Sequence, residues 1–354
     1  MWTSRRTIAL ALFGILFTIG VLTRSPSMVT WDEPENYYVG RVYLNTLTGG
    51  DMPQALPFRS ETHWERYPPF AITIASMSSR VLSETLHITN PIDAHHIAVI
   101  GFAALGAVAT YGIAVELGLT VSVAVIAAVV VFFSPIYFGH AHTNPKDIPQ
   151  AAMFTLAVYA GLVAFRKKTY TAYICAGLVW GCALATKLNA LFVPIILCLW
   201  FFLKNHTHTP GVWVKCARQA VLYGCSGLIT LLILWPWLAS DPVKHVGQIV
   251  QYIGEVGRGL PVLFFGHLYH GGIDVPWWYA PTMVLMQTPP VVLVLVAIGM
   301  LGSKKRVLPL VWFIVVFARY LDPHTIIYNG VRHVMEVFGA VALLAGMGLE
   351  YMWQ

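Results

Sequence analysis

Long apolar stretches, close to the roughly 20 residues that an α-helix needs to cross a bilayer, recur along almost the whole chain. Because lipid offers the main chain no hydrogen-bond partner, we expect these stretches to be helices. Charged residues make up only 11% of the 354 residues, against about 25% in a soluble domain, and the mean hydropathy is +0.66. The sequence therefore predicts an all-α polytopic membrane protein and excludes a soluble enzyme, a collagen, a coiled coil and a disordered chain.

The apolar pattern predicts about ten membrane spans within a single transmembrane domain, residues 1–354. The predicted spans cover residues 7–23, 97–115, 119–138, 148–165, 171–186, 190–203, 218–239, 281–301, 307–320 and 334–351. A weaker run at 68–87 contains Arg80 and Glu84, which are costly at the centre of a bilayer. We expect this run to lie along the membrane interface, as a juxtamembrane segment of the outer loop 24–96.

Basic residues gather in four clusters that ten spans bring to one face of the membrane. The clusters are Arg5-Arg6, Arg166-Lys167-Lys168, Lys204 with Lys215 and Arg218, and Lys304-Lys305-Arg306. By the positive-inside rule this face is cytoplasmic, which puts the N-terminus inside and the long loops 24–96 and 240–280 outside. We expect an uncleaved first span, a bacterial or archaeal cytoplasmic (inner) membrane, and an active site that faces outward.

The basic residues do not point to a nucleic-acid partner. The net charge is +6, but the 22 lysines and arginines are scattered among apolar spans and form no continuous basic face. The five cysteines show no CxxC spacing, so no disulfide framework or cysteine metal site is predicted.

The first outer loop begins with an acidic segment that contains Asp32, Glu33 and Glu35, followed by a predicted short helix that reaches Leu47. Asp32 suits the N-cap of that helix, which is a purely structural role. Its position in an outer loop, next to a second carboxylate, favours a general base instead. Both interpretations remain open from the residues alone.

The loop between the third and fourth spans is unusually polar for a short connection. His140 and His142 suggest a possible metal site, although an HxH pair is a weak signal by itself. Asn144 and Asp147 can equally serve as the turn and N-cap residues of the following span.

Cations also stand at the outer ends of spans. Lys187 interrupts two apolar runs, and it can either snorkel to the interface or bind a phosphate. Arg332 and His333 are costly at the end of a span unless they are paired. They can pair with Glu336 or Asp322 for structural reasons, or hold an anionic headgroup.

These residues occur in an order that resembles a known family, the lipid-carrier-dependent glycosyltransferases of the type C (GT-C) fold, related to protein O-mannosyltransferases and aminoarabinose transferase. The motifs in order are Asp32-Glu33, Tyr67-Pro68-Pro69, Asn144-Pro145-Lys146-Asp147, Thr186-Lys187-Leu188-Asn189, Pro276-Trp277-Trp278-Tyr279 and Tyr328-Asn329-Gly330-Val331-Arg332-His333. The chain lacks the large inserted domain of eukaryotic protein mannosyltransferases, and it ends soon after the Arg332-His333 span. The resemblance therefore leaves the acceptor open.

The resemblance implies roles for the acidic residues. Asp32 is expected to deprotonate the acceptor hydroxyl, Glu33 to help hold the acceptor, and Asp147 to be the second acidic residue of the site. Nearby cations suit the stabilisation of a leaving phosphate. These cations are Lys146, Lys187, Arg332 and His333. A divalent metal near Asp147 and the two loop histidines is a further option.

The function predicted from all of this is an inverting glycosyltransferase, mannosyltransferase-like. It would move one monosaccharide from a polyprenyl-phosphate carrier to a hydroxyl of a protein, glycan or lipid acceptor, without a nucleotide sugar. The alternatives are a polytopic secondary transporter and a lipid flippase. A transporter would carry ionisable residues near the middle of the membrane, and a flippase would not need Asp32 and Asp147 in one vestibule.

Overall fold

A computed structural model of the chain describes residues 2–25, 29–50, 64–204, 210–322 and 324–354. Residues 26–28 and 51–63 of the predicted outer loop lie outside this described part. Sixteen α-helices occur in it: α1 (Trp2–Leu22), α2 (Glu33–Thr48), α3 (Phe70–Ser79), α4 (Pro91–Glu116), α5 (Val121–Phe132), α6 (Pro135–Ala141), α7 (Asp147–Lys167), α8 (Tyr170–Leu184), α9 (Phe192–Lys204), α10 (Pro210–Leu234), α11 (Pro236–Ser240), α12 (Pro242–Glu255), α13 (Tyr279–Met286), α14 (Pro290–Gly302), α15 (Val307–Ala318) and α16 (Val337–Trp353).

The ten predicted spans all fall on helices, which confirms the all-α membrane fold class. Among the described residues, four helices are long and apolar enough to cross a membrane: α1, α4, α7 and the part of α10 from Lys215 to Leu234. Two helix pairs meet the same criterion together but are bent, α5 and α6 by 64° and α13 and α14 by 118°, as in a broken span or a re-entrant loop. Three shorter apolar helices correspond to α8, to Leu188–Lys204 and to α16.

The helices α4, α7 and α16 form the centre of the bundle, where small side chains allow close packing. Gly106 of α4 lies against α7, and a Cβ at this position would be 3.0 Å from the Cα of Ala152. Gly299 of α14 and Gly348 of α16 each lie against the other helix's main chain, so neither position has space for a side chain. Without a hydrophobic driving force between helices in lipid, such close contacts hold the bundle together.

The juxtamembrane segment at 68–87 is helical. Helix α3 runs into one turn of π-helix, Arg80–Thr85, and packs between α2 and α4. Arg80 is not left in an apolar environment, because its guanidinium donates hydrogen bonds to Asn45 and Thr48 of α2. The segment thus positions α2, which follows Asp32.

The long loop 240–280 contains α12 and a two-stranded antiparallel hairpin that the sequence analysis did not predict. The strands are β1 (Pro261–Phe264) and β2 (His267–His270). Phe265 and Gly266 connect them with φ angles of 48° and 79°, as a two-residue hairpin turn requires. Val262 and Phe264 are buried, and Phe264 packs against Trp278 and Tyr279, so the hairpin is fixed against the start of α13.

Candidate active site

One arginine joins the two acidic residues that the sequence singled out. Arg332 donates from Nη2 to Oδ2 of Asp32 at 2.7 Å and from Nε to Oδ2 of Asp147 at 3.0 Å. These residues are far apart in sequence, and they meet because α2, α7 and the segment before α16 all begin at one end of the bundle. Burial lowers the pKa of Arg332, but Asp147 and Asp32 raise it more strongly, so the guanidinium stays charged. We call Asp32, Arg332, Asp147 and Lys187 the charge chain.

Lys187 completes the charge chain on the other side of Asp147. Its Nζ lies 2.7 Å from Oδ1 of Asp147, whose side chain is only 5% exposed. Asn144 accepts hydrogen bonds from the main-chain N–H groups of Lys146 and Asp147, at 3.2 and 2.9 Å, and its Nδ2 donates to Oδ2 of Asp147. The turn role considered for Asn144 is therefore confirmed, and Lys187 forms an ion pair with Asp147 rather than only snorkelling.

Asp32 lies at the N-cap position of α2 but makes no capping hydrogen bond with its side chain. Its carboxylate is 39% exposed and turns towards Arg332. The capping interpretation of Asp32 is therefore wrong. A carboxylate that is both accessible and fixed in direction can receive a proton from a bound hydroxyl.

Glu33 has a different environment from Asp32. It is buried, and its two carboxylate oxygens bond to Nε2 of His96 at 2.8 Å and to the N–H of Thr30 at 3.0 Å. The acceptor-binding role expected of Glu33 has no support in this geometry, because both oxygens are already used inside the protein. Glu33 holds the start of α2 against α4.

The histidines of the polar loop do not fit a metal site. Nδ1 of His142 lies 2.7 Å from the carbonyl of Phe138, and Nε2 lies 3.1 Å from the carbonyl of Gly20. His140 contacts Asn144, and both oxygens of Asp147 already bind cations. No group of three or more His, Cys, Asp or Glu placed to hold a metal occurs within the described ranges. His140 and His142 are therefore not supported as metal ligands.

His333 is not a cation in this site, contrary to expectation. Burial and the charge of Lys187 lower its pKa to about 3, so its imidazole is neutral at physiological pH. Of the two partners considered for Arg332, Glu336 instead pairs with Arg319 at 2.7 Å, and Arg332 itself pairs with Asp32 and Asp147. His333 can act towards a phosphate only as a neutral hydrogen-bond donor.

A cavity of about 470 Å³ lies beside the charge chain, and its lining combines charged and apolar side chains. The charged residues are the cations Arg66, Lys146, Lys187 and Arg319 and one carboxylate, Asp322. The apolar residues include Ile72, Leu188, Phe192, Ile249 and Ile253. Such a cavity suits an amphipathic ligand with an anionic head and a hydrocarbon tail.

Lys146 lines the cavity, and its side chain is fixed there by an aromatic side chain. Its ammonium lies 4.0 Å from the centre of the Tyr67 ring, a cation–π contact. Burial lowers the pKa of Lys146, and the carboxylates of Glu35 and Asp32 partly offset this effect. Tyr252 donates a hydrogen bond to the hydroxyl of Tyr67 at 2.5 Å, which leaves the Tyr67 hydrogen for another acceptor.

The sequence analysis did not identify Arg66 or assign Tyr252 a role. Nε of Arg66 is buried without a hydrogen bond in the described part of the chain, and its guanidinium carbon lies 5.9 Å from the Tyr252 ring centre. The only carboxylate that pairs with this Nε atom in the described residues is Glu65, at 4.0 Å, which is too far for a hydrogen bond. A buried donor without a hydrogen bond in a cavity lining is typical of a ligand site. Its position just before Tyr67-Pro68-Pro69 is the only sequence signal that could have found it.

Sequence comparison supports the resemblance for part of the chain. Residues 85–239, somewhat less than half of the chain, match the model of the dolichyl-phosphate-mannose-protein mannosyltransferase family. The matched segment includes Asp147 and Lys187 but not Asp32 or Arg332. No curated protein sequence matches the chain at a significant level.

Solved structures extend the similarity to nearly the whole chain. ArnT from Cupriavidus metallidurans in the apo state matches with a TM-score of 0.62 and 16% identity over 98% of this chain. The chain has the type C glycosyltransferase fold. ArnT bound to undecaprenyl phosphate gives the same TM-score of 0.62 over 99% of the chain. The archaeal oligosaccharyltransferase AglB from Archaeoglobus fulgidus, in complex with an inhibitory peptide and a dolichol-phosphate, matches with a TM-score of 0.58 and 14% identity over 99% of the chain.

This chain is shorter than the proteins whose fold it shares. It covers 60% of the length of ArnT and 50% of the length of AglB. The match covers 98–99% of this chain, which includes the charge chain and the cavity.

Proposed function

We propose that this protein is an inverting glycosyltransferase that moves one monosaccharide from a polyprenyl-phosphate carrier to an acceptor hydroxyl. The observation that carries the proposal is the cavity lined by four cations and several apolar side chains, which lies beside two carboxylates joined by Arg332. ArnT and AglB were both solved with a polyprenyl phosphate bound. A mannosyl donor is the first to test, because the matching family model is one of mannosyltransferases.

The donor phosphate is proposed to lie against Lys146 and Arg66. Both side chains line the cavity. Lys146 forms no ion pair in the described part of the chain, and the one ion pair of Arg66 there is a long contact of 4.0 Å with its neighbour Glu65. Tyr67 can add a hydrogen bond from its hydroxyl, since burial raises its pKa and keeps it protonated. The polyprenyl tail would then lie against the apolar side chains of the cavity. Since the tail is already in lipid before it binds, close packing rather than transfer from water would favour this position.

Asp32 is proposed as the general base. It accepts the proton of the acceptor hydroxyl while the hydroxyl oxygen forms a bond to the anomeric carbon of the sugar. The bond between that carbon and the phosphate oxygen breaks, and its electron pair leaves on the lipid phosphate. Lys146 and Arg66 stabilise the resulting charge, and attack opposite to the leaving group inverts the anomeric centre.

Arg332, Asp147 and Lys187 are proposed as positioning residues rather than phosphate ligands. Arg332 already binds two carboxylates, and Lys187 already binds Asp147 at 2.7 Å. Asp147 is buried with both oxygens in use, so it fixes the two cations and, through Arg332, the direction of Asp32. His333 is proposed to contact the ligand as a neutral donor.

The orientation in the membrane is part of the proposal. The four basic clusters put the N-terminus inside, and the site end of the bundle then faces outward from a cytoplasmic membrane. The acceptor would be a hydroxyl of a protein, a glycan or a lipid that reaches Asp32 from that side.

A transfer assay with purified protein tests the proposal. Polyprenyl-phosphate mannose and a hydroxyl acceptor are supplied in detergent, and both the glycosylated acceptor and the released polyprenyl phosphate are measured by mass spectrometry. Equal amounts of the two products, with inverted configuration at the anomeric carbon, support the proposal. A second assay uses the protein reconstituted in lipid vesicles. Movement of the polyprenyl-phosphate sugar from one leaflet of the vesicle membrane to the other, without a change in its mass, would favour the flippase alternative.

A further inference from the structure

A second cleft lies at the opposite end of the bundle from the charge chain. It has a volume of about 250 Å³ and lies between the start of α1 and the ends of α4 and α7. Its lining contains four basic residues and one carboxylate, Arg5, Arg6, Arg166, Lys167 and Glu116, together with apolar side chains that include Ala9, Val108 and Val163.

The cations of this cleft are used differently from the other basic cluster at the same end. Lys305 binds Glu350 at 2.8 Å and the carbonyl of Gly118, and Arg306 donates to two carbonyls at the end of α14. That cluster therefore neutralises and caps groups of the protein itself. The positive charges of Lys305 and Arg306 are therefore explained without a bound ligand.

In the cleft, only Arg166 forms an ion pair, with Glu116 at 2.8 Å. Arg5, Arg6 and Lys167 form no ion pair within the residues that the structure describes. Three positive charges thus converge, from two different chain segments, on a cleft with an apolar surface. A soluble anion would use the charges alone, whereas a lipid would use both the charges and the apolar surface.

We propose that this cleft binds the headgroup phosphate of an anionic phospholipid, with an acyl chain against Ala9, Val108 and Val163. The cleft lies where three membrane-spanning helices end, which is the depth of lipid headgroups. The lipid would tie the start of α1 to the end of α7. This site is independent of the proposed glycosyl transfer.

The test measures the thermal unfolding of the purified full chain in detergent as lipid is added. Phosphatidylglycerol is expected to raise the unfolding midpoint, and phosphatidylcholine, which has no net charge, is expected to have little effect. Each cation near a lipid phosphate contributes about 1 kcal/mol, so the R5Q/R6Q double variant should bind phosphatidylglycerol about 30-fold more weakly. Lys167→Gln should weaken binding about fivefold by the same argument.

The matched control is K168Q/K204Q, which removes two charges from the same end without touching the residues that line the cleft. It should bind phosphatidylglycerol within about twofold of the wild type, since the charges lie outside the cleft. Wild-type affinity in both R5Q/R6Q and Lys167→Gln would overturn the proposal, as would equal weakening in the control. An equally large midpoint shift with glycerol phosphate would show a site for a free phosphate and overturn the assignment to a lipid.

Discussion

The charge chain at one end of the helix bundle and the cleft at the other end both contain positive charges, but they use them differently. At the site end, Arg332 and Lys187 bind carboxylates of the protein at 2.7–3.0 Å, and Lys146 is fixed over Tyr67. At the other end, Arg5 and Arg6 line a cleft without an ion pair in the described part of the chain. Charges that are fixed in advance suit catalysis, because they cost no reorganisation as charge develops. Charges that lack partners suit the binding of a mobile lipid.

The largest expected effect comes from Asp32→Asn, which removes the proposed base and keeps the side-chain size. Transfer should fall by at least about 100-fold, as is typical for loss of a general base, while polyprenyl-phosphate binding persists. Initial rates and binding constants, measured on the same preparation, separate the two effects.

Glu33→Gln is the matched control for Asp32→Asn. It changes the neighbouring carboxylate, whose oxygens bond only inside the protein, and should leave the rate within a few-fold. Undiminished turnover in Asp32→Asn would rule out Asp32 as the general base. If Glu33→Gln lost as much activity as Asp32→Asn, the role of Glu33 in acceptor binding would be restored.

Arg332→Gln should break the charge chain and lower stability. Asp147 is buried and would keep only Lys187 as a cationic partner, so we expect a loss of about 2 kcal/mol, below the roughly 3–5 kcal/mol of a wholly unpaired buried charge. Thermal unfolding measures this change. Arg6→Gln at the other end should leave stability nearly unchanged in lipid-free detergent, and equal destabilisation by the two variants would contradict the contrast between the ends.

The pH dependence of donor binding should report on Lys146. Burial lowers the pKa of Lys146, so its charge is lost at a lower pH than that of an ordinary lysine. The donor is a phosphodiester, which has no second ionisation and keeps one negative charge at neutral and alkaline pH. Binding should therefore weaken several-fold as the pH rises to about 10. Lys146→Arg keeps its charge at all these values and should remove the decline. A decline that is identical in Lys146→Arg would place the titrating group elsewhere.

The smallest expected effect on transfer is that of R5Q/R6Q at the opposite end. Its rate per folded molecule should remain within about twofold of the wild type, because the cleft shares no residue with the cavity at the site. Initial rates in lipid-free detergent measure this. A loss comparable to that of Asp32→Asn would mean that the two ends are coupled.

Local patterns in the sequence predicted local structure well. The helix after Asp32, the turn at Asn144 and the helical apolar runs all follow from neighbouring residues, and all occur in the structure. The hairpin β1–β2 was missed because each strand has only four residues, too few for an alternating pattern to be clear.

Contacts over long sequence separations could not be predicted in the same way. Arg332 binds Asp32 and Asp147, which lie 300 and 185 positions away, whereas the sequence suggested its neighbours Glu336 and Asp322 as partners. The neutral state of His333 depends on burial and on Lys187, which its own sequence neighbourhood does not show. The motif order nevertheless identified the acidic residues that the fold brings together.

The central claim is that the cavity beside the charge chain binds a polyprenyl phosphate. Mass spectrometry of the lipids that copurify with the detergent-solubilised wild type and with Lys146→Met tests it most directly, because methionine keeps an apolar side chain over Tyr67 but removes the charge. We predict polyprenyl phosphate, free or glycosylated, in the wild type and at least about tenfold less in the variant, as expected for loss of a charged hydrogen bond. Bulk phospholipid alone in both, or equal polyprenyl phosphate in both, would contradict the account.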